Sequence, residues 1–382
     1  MSRIASFFMV FLLLLSSCAK KSPRAESGET DFSSLAFNES VPLSFATEFR
    51  IDRSEGFSLV TIKNGGKFLL APQGGGQKKV RNVPDGIVQI RKPLENVYLV
   101  SSSVMDFVSK IGAMDLIRFS GTRKKDWQIQ DAAQAMEIGK ILYAGKYSAP
   151  DYELLLSNGC GAAIENTMIF HKPEVKEKLE EIGIPVIVER SIYEKNPLGK
   201  LEWIKLYGEL FGKEKEAEEF FEGEIRKIEP VLSKRHTESG RKRIAFFYVT
   251  STGAVNVRKS GDYISNLIAL SGGEYALEKN GSGEENALST MNMTFEDFYS
   301  AAVDSDIIIY NGNITGEIGS IGELSRINPM FMDFKAVKEG NAYSTGKDFF
   351  QESTGLAQFL SELYKIQNGD DSNLSYLKKL EK

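Results

Sequence analysis

The stretch "GKLEWIKLYGELFGKEKEAEEFFEGEIRKIEPVLSKRH" occupies residues 199–236 and separates two halves of the sequence. Between about 213 and 234 it is rich in Glu and Lys, and apolar residues recur every three or four positions. This period predicts a long helix with one apolar stripe and a solvated charged face. Pro230 should bend the helix or end its regular part. The stripe consists of Ala217, Phe220, Phe221, Ile225, Ile228 and Leu232.

Short apolar runs alternate with helical patterns on both sides of this helix. The strand patterns before it include "NVYLV", "DLIRFSG", "GAAIE" and "PVIVE", and those after it include "RIAFFYV", "DIIIYNG" and "NAYST". Strands that alternate with helices are typical of parallel sheets covered by helices. The sequence therefore predicts an α/β lobe at 79–198, a connecting helix region at 199–240 and a second α/β lobe at 241–382.

Alternating apolar and polar residues precede the first lobe. The runs "LSFATEFRI" and "FSLVTIKNGGKFLLA" are separated by Gly56 and broken by Asn64-Gly65-Gly66, a sequence that favours a tight hairpin turn. We therefore expect a small antiparallel β addition at 42–78.

Near the start of the sequence, one basic residue, Arg3, precedes a mostly apolar run at 4–15. As a helix this run would span about 18 Å, too short for a bilayer core of about 30 Å, so it predicts an export signal at 1–17. The sequence "LSSC" at 15–18 resembles the lipobox of bacterial lipoproteins, which implies that Cys18 carries a lipid anchor. The alternative is an ordinary secretory signal with a chance cysteine. The polar residues at 18–41 are predicted to be a flexible tether, in a protein exported and lipid-anchored to a bacterial membrane.

The composition excludes several classes of site. A net charge of -5 argues against nucleic acid as a partner. The chain has two histidines and two cysteines, which excludes a clustered-histidine zinc site and a CxxC site. Neither His171 nor His236 lies in a context typical of a catalytic histidine. We therefore expect no enzyme activity, no cofactor and no resident metal.

The order of several local strings carries a family resemblance. The strings "VYLVSSSVMDFVSKIGAMDLIRFSG", "APDYELLLSNGCGAAIE", "EEIGIPVIVE" and "NPMFMDFKAVKEGNAY" occur in that order along residues 80–368. In this the chain resembles the substrate-binding proteins of ABC importers for iron-siderophore, heme and vitamin B12, the class III or helical-backbone periplasmic binding proteins. The resemblance implies two doubly wound parallel-sheet lobes joined by one long rigid helix, with ligand between them. It also implies a protein that acts as a monomer.

In this family an acidic residue on each lobe docks onto the membrane subunits of the permease. The matching positions are Asp106 and Glu296, with Asp at 106 where the family pattern has Glu. The alternative is that both acids only stabilise the first turn of a helix.

Open α/β sheets bind ligands outside the carboxyl ends of their strands. Loops at these positions combine aromatic residues with arginines, which suit a large ligand with apolar faces and anionic or catecholate oxygens. The alternative is that surface loops commonly collect such residues. The candidate ligand residues are Arg123, Trp127, Tyr147, Glu165, Asn166, Arg190, Arg258, Tyr263, Asn311 and Phe349.

The sequence and the resemblance together predict a lipid-anchored solute-binding component of an ABC importer. Its expected ligand is a metal chelate of the iron-siderophore type, and its expected partners are the permease subunits and, through the lipid, the membrane. The alternatives within the family are a cobamide and heme, and heme would need a Tyr ligand such as Tyr147 or Tyr263. An alternative of another class is a surface-anchored α/β enzyme of chelatase-like fold.

Overall fold

The computed structural model describes residues 30–72, 80–234, 240–277, 290–347, 349 and 351–382. The predicted signal peptide at 1–17, the predicted lipidation residue Cys18 and the first part of the predicted tether lie outside these residues. Along the described chain, an N-terminal sheet is followed by an α/β lobe, three connecting helices and a second α/β lobe. The α/β fold class predicted from the sequence is confirmed.

The N-terminal part of the chain is built from short strands. They are β1 (Thr30–Asp31), β2 (Glu39–Ser40), β3 (Phe49–Ser54), β4 (Phe57–Ile62), β5 (Gly66–Pro72), β6 (Val80–Arg81) and β7 (Ile87–Lys92). Five of them form one sheet in the order β2-β3-β4-β5-β7, in which β7 pairs in parallel with β5 and the other pairs are antiparallel. This N-terminal sheet therefore extends beyond the predicted 42–78, because the strand expected from "GIVQI" joins it as β7 and does not enter the first lobe.

Residues 30–37 belong to the folded body, although the sequence placed them in the flexible tether at 18–41. The side chains of Phe32, Leu35 and Phe37 pack with those of Phe57 and Leu69 on one face of the N-terminal sheet. β1 also pairs in parallel with β6. Burial of these apolar side chains and the pairing of β1 with β6 together hold the segment on the folded body.

Three buried glutamates fasten the N-terminal sheet to the connecting helices and to the residues just before them. The backbone N–H groups of Ser44, Phe45 and Ala46 each donate to the carboxylate of Glu202 at 2.8 Å. In the same loop, the backbone N–H groups of 47 and 48 donate to Glu194 at 2.9 and 3.0 Å. Further along the sheet, the carboxylate of Glu209 accepts hydrogen bonds from the side chains of Arg53, Ser58 and Lys92.

The first lobe contains one five-stranded, fully parallel sheet. Its elements are β8 (Val97–Leu99), α1 (Ser102–Lys110), β9 (Ile117–Ser120), α2 (Gln130–Glu137), β10 (Leu142–Tyr143), β11 (Gly145–Lys146), β12 (Ala149–Pro150), α3 (Tyr152–Ser157), β13 (Ala163–Glu165), α4 (Pro173–Glu181) and β14 (Val186–Val188). The strand order is β10-β9-β8-β13-β14, as expected for a doubly wound sheet. The small β11–β12 hairpin lies outside this sheet.

Three consecutive helices connect the lobes, namely α5 (Pro197–Glu202), α6 (Ile204–Phe211) and α7 (Glu214–Leu232). Gly212 ends α6 in the left-handed region, with φ of 64°, and lets the chain turn back so that α7 packs against α6. α7 contains the predicted apolar stripe, with Ala217, Phe221 and Ile228 buried. Its 19 residues correspond to about 28 Å of helix.

The second lobe contains a seven-stranded mixed sheet. Its elements are β15 (Arg243–Val249), β16 (Val255–Arg258), α8 (Tyr263–Leu270), β17 (Glu274–Tyr275), β18 (Thr290–Met293), α9 (Phe295–Ala302), β19 (Ile307–Tyr310), α10 (Gly312–Thr315), α11 (Ile321–Ile327), α12 (Lys335–Glu339), β20 (Ala342–Thr345), α13 (Leu356–Gln367) and β21 (Leu377–Lys379). The strand order is β18-β16-β15-β19-β20-β21, and β17 pairs with the start of β15. The central strands β15, β19 and β20 are parallel as predicted, whereas β16 and β21 run antiparallel to their neighbours.

Candidate functional site

The carboxyl ends of the parallel strands form a loop-bearing edge on each lobe, here called the carboxyl edge. In the first lobe the strand order reverses between β8 and β13, which is where open α/β sheets place ligands. The carboxyl edges of the two lobes lie against each other. Asp106, in α1 after β8, accepts a hydrogen bond of 2.7 Å from the backbone of Thr354, and the backbone of Gln128, after β9, donates one of 2.8 Å to Gln351.

Two predicted ligand residues lie in the loop after β9. Arg123 is exposed, and its guanidinium carbon lies 5.5 Å from the centre of the Tyr143 ring at the end of β10. Trp127 is only 6% exposed, and its indole N–H has no hydrogen-bond partner among the described residues. Buried indole N–H groups usually find a partner, so the unsatisfied donor of Trp127 is an exception to this rule.

Glu165 and Asn166 lie at the end of β13, beside the reversal of strand order. Glu165 is fully buried, and neither carboxylate oxygen has a hydrogen-bond partner among the described residues. Burial raises the pKa of Glu165 to about 8. The side chain of Asn166 accepts a hydrogen bond of 2.9 Å from the backbone of Met168 and begins a short 3₁₀ helix. Tyr147, in the turn between β11 and β12, is half-buried.

Arg190 follows β14 at the same edge, but its side chain is buried and contacts other parts of the chain. Its guanidinium carbon lies 4.1 Å from the centre of the Tyr193 ring, and one terminal nitrogen lies 4.0 Å from the carboxylate of Glu48 in the N-terminal sheet. Its charge is therefore partly compensated inside the protein, and its buried Nε lacks a hydrogen-bond partner among the described residues.

Arg258 and Tyr263 do not lie at the carboxyl edge of the second lobe, which corrects the prediction made for both. The stretch expected to be one loop after β15 contains β16, which runs antiparallel and carries Arg258 away from that edge. Arg258 pairs with Asp262 at 3.6 Å. The Tyr263 ring is buried, and the ammonium of Lys200 in α5 lies 4.2 Å from its centre.

The other two candidates of the second lobe are also buried. Asn311 directly follows β19 at the carboxyl edge, is 1% exposed, and accepts a hydrogen bond from the backbone of Asn313 at the start of α10. Phe349 packs in an aromatic cluster, with its ring centre 4.5 Å from that of Phe359. Like Trp127, Phe349 is 6% exposed and belongs to the hydrophobic core, so its contact with a ligand stays a prediction.

The two predicted docking acids differ sharply in exposure. Asp106 is 4% exposed, and its carboxylate accepts hydrogen bonds from the backbone and the hydroxyl of Thr354. A docking acid must reach solvent, so the structure argues against that role for Asp106. Glu296 is exposed in the first turn of α9, beside a surface groove of about 720 Å³ lined in part by Met291 and Met293.

The sequence did not single out the exposed apolar residues of the two edges. Met168 is 45% exposed after β13, Ile192 is 43% exposed after β14, and Ile314 is 57% exposed after β19. Two cations of the first lobe, Lys125 and Lys146, are exposed and form no ion pair within the described part of the chain. The detectable signal was an apolar residue placed a few positions after a predicted buried strand, as in "AIENTM".

The described residues contain no group of three or more His, Cys, Asp or Glu side chains that could hold a metal ion. They also contain no helix that is both long and apolar enough to cross a membrane.

Solved structures identify the class to which this fold corresponds. A periplasmic heme-binding protein of Pseudomonas aeruginosa matches 75% of this chain and 98% of its own, with a TM-score of 0.58 and 14% identity. A triscatecholate siderophore-binding protein of Bacillus subtilis matches 74% and 95%, with a TM-score of 0.56 and 14% identity. A periplasmic vitamin B12-binding protein of Vibrio cholerae matches 74% and 99%, with a TM-score of 0.52 and 13% identity. The chain thus has the fold of the class III periplasmic binding proteins, as the sequence resemblance indicated.

Proteins of Methanocaldococcus jannaschii are similar to this chain in sequence. One uncharacterized lipoprotein is 24% identical over 343 residues, which cover 85% of this chain and 83% of the relative. A second uncharacterized lipoprotein is 25% identical over 280 residues, which cover 70% of this chain and 63% of the relative. No protein-family model matches the chain.

Proposed function

We propose that this protein is the lipid-anchored solute-binding component of an ABC importer. It captures a metal chelate of the iron-siderophore type between its two lobes and delivers it to the permease, without covalent chemistry. The observation that carries the proposal is the meeting of two loop-bearing carboxyl edges from separate α/β lobes, in a fold shared with siderophore-, heme- and vitamin B12-binding proteins.

The exposed chemistry of the first lobe supports an anionic ligand with apolar faces. Arg123, Lys125 and Lys146 supply positive charge, while Tyr143 and Met168 supply apolar and aromatic surface. Guanidinium and ammonium groups bind catecholate and carboxylate oxygens, and aromatic rings pack on the flat parts of such ligands. The buried Arg190 and Arg258 contribute less than the sequence predicted, because both already lie against acidic groups.

Heme is the second candidate ligand. It is a flat apolar molecule with anionic carboxylates, so the same exposed cations would suit it. Tyr147 remains a candidate axial ligand because it is half-buried at the carboxyl edge, whereas Tyr263 is buried at the junction with α5.

Membrane attachment and docking are the remaining parts of the proposal. The relatives named as lipoproteins support an exported, membrane-anchored protein, with Cys18 as the residue that carries the lipid. On the second lobe, the exposed Glu296 is the proposed acid that contacts the permease. Asp106 has no part in this contact.

Intrinsic fluorescence of the full chain tests ligand capture directly. The chain has two tryptophans: Trp127 is 6% exposed at the carboxyl edge, whereas Trp203 is fully buried and its N–H donates to Glu194 at 2.8 Å. We expect a ferric triscatecholate, or else heme or cobalamin, to quench the emission with a Kd below about 10 μM. The variant W127F should lose most of the quenching by the chelate. Absence of binding by all three ligands would contradict the proposed ligand class.

A further inference from the structure

One short segment of the second lobe contacts the first lobe at two places. The side-chain oxygen of Gln351 accepts a hydrogen bond of 2.8 Å from the backbone of Gln128, and its side-chain nitrogen donates one of 2.9 Å to the carbonyl of Asp126. Three residues further along, the backbone and the hydroxyl of Thr354 donate to the carboxylate of Asp106 at 2.7 and 2.6 Å. The segment 351–355 therefore touches the chain after β9 and the helix after β8.

The two hydrogen bonds of Gln351 lie on either side of Trp127. They join backbone groups of the residues directly before and after the tryptophan, and so hold the loop that carries it. Trp127 is buried, yet its indole N–H has no partner among the described residues. An oriented donor without a partner, held at the ligand-binding edge of a sheet, is pre-organised for a ligand acceptor.

The segment is itself fixed within the second lobe. The hydroxyl of Tyr376 donates a hydrogen bond of 2.8 Å to the carboxylate of Glu352. At Gly355 a Cβ atom would lie 2.0 Å from that hydroxyl, so only glycine fits beside it. Because the segment is fastened to β21 and the start of α13, it moves with the second lobe.

We propose that residues 351–355 are an interlobe clasp, in which Gln351 and Asp106 are positioning residues for the ligand site. The clasp fixes the Trp127 loop of the first lobe against the second lobe, and so sets the spacing between the two carboxyl edges. It lowers the entropy that the loop would lose on binding a ligand. Its effect on ligand binding rests on the proposed function, whereas its effect on the Trp127 loop does not.

Acrylamide quenching of the full chain without ligand tests the clasp itself. Q351A should increase the accessibility of Trp127 and thus the quenching constant, while Trp203 stays in the core. The double variant Q351A/W127F should show no such increase, and T354V should give a smaller increase than Q351A. D115N is the matched control, since the Asp115 side chain is 87% exposed on the same lobe. An unchanged quenching constant in folded Q351A, with its circular dichroism retained, would overturn the clasp.

Stopped-flow binding then tests the positioning role. For the ligand among ferric triscatecholate, heme and cobalamin that binds the wild type, Q351A should weaken affinity about tenfold, mainly by faster dissociation. D106N keeps an acceptor for Thr354 and should restore most of the affinity that D106A loses. Equal affinity of Q351A and wild type would overturn the positioning role. If none of the three binds the wild type, the proposed function fails, while the quenching result still decides whether the clasp exists.

Discussion

Single carboxylates determine how the N-terminal sheet is held against the connecting helices. Glu202 and Glu194 are both 2% exposed or less, and each accepts hydrogen bonds from consecutive backbone N–H groups of the loop at 44–48. Lys205 lies 3.2 Å from Glu202 and adds a compensating charge. Consecutive N–H groups that converge on one anion replace the water that the buried carboxylate loses.

We expect E202A to lower the free energy of unfolding by about 2 to 4 kcal/mol, because it leaves three backbone donors without their acceptor and removes one of the two carboxylates beside Lys205. The control E218A removes the other carboxylate near Lys205, and the Glu218 side chain is 42% exposed. E218A should therefore change the free energy of unfolding by less than about 1 kcal/mol. Urea unfolding measures both values, and equal effects of the two substitutions would contradict this role of Glu202.

Glu165 predicts a specific dependence of stability on pH. Burial raises its pKa from the ordinary 4.5 to about 8 in the folded chain. Between these values the folded chain holds a proton on Glu165 that the unfolded chain has lost, so the contribution of Glu165 to the free energy of unfolding should fall as the pH rises from 4.5 to 8. E165Q cannot ionise at this position, so the wild type should lose roughly 1 to 4 kcal/mol more than E165Q over this range. Urea unfolding at both pH values compares the two proteins, and an identical decrease in both would count against the raised pKa.

Residue types at strand ends were predictable from the sequence, but their partners were not. The prediction placed Glu165, Asn166 and Trp127 at the carboxyl edge, and the structure has them there. It failed for Arg258, because a reversal of chain direction within a few residues leaves no periodic signal. Asp106 could not have been assigned, because its partner, Thr354, lies 248 residues away in the sequence.

Two glycines within helices differ in how closely other parts of the chain approach them. A Cβ atom at Gly199 in α5 would lie 2.9 Å from the carbonyl oxygen of Phe45, so this helix approaches the N-terminal sheet at backbone distance. At Gly223 in α7 the nearest atom to such a Cβ is the end of the Arg226 side chain, at 3.9 Å. The first glycine is required by a close approach of two elements, and the second is not.

The two alanine substitutions should therefore change stability in opposite directions. G199A should lower the free energy of unfolding by about 1 to 3 kcal/mol, since the loop at 44–48 must move. G223A should raise it by about 0.5 to 1 kcal/mol, because alanine favours the helix where space is open. Thermal unfolding followed by circular dichroism measures both, and a gain of stability in G199A would contradict the tight contact.

Long periodic elements were predictable, whereas short edge strands were not. The helix expected at 213–234 is observed as α7, and the buried strands of "RIAFFYV" and "DIIIYNG" are observed as β15 and β19. The strands β16, β18 and β21 have four residues or fewer, and their direction depends on partners distant in sequence. Such strands are selected by the sheet that they join, so local pattern carries little information about them.

The two lobes are joined both by the polypeptide chain and by non-covalent contacts. The covalent link passes through α7, which packs against α6 at one side and against α13 of the second lobe at the other. Non-covalent links among the described residues include the interlobe clasp and a hydrogen bond of 2.8 Å from the Asn266 side chain to the carbonyl of Lys195. A helix resists bending more than a loop does, so we expect only small changes in the spacing of the lobes when ligand binds.

Hydrogen exchange of the full chain, with and without saturating ligand, shows whether both lobes contact the ligand. We expect the ligand to protect peptides from both carboxyl edges together: 121–128 and 165–171 of the first lobe, and 311–317 of the second. The N-terminal sheet at 39–72 serves as the internal reference and should not change. Protection confined to one lobe, or found only in the N-terminal sheet, would contradict a ligand held between the lobes.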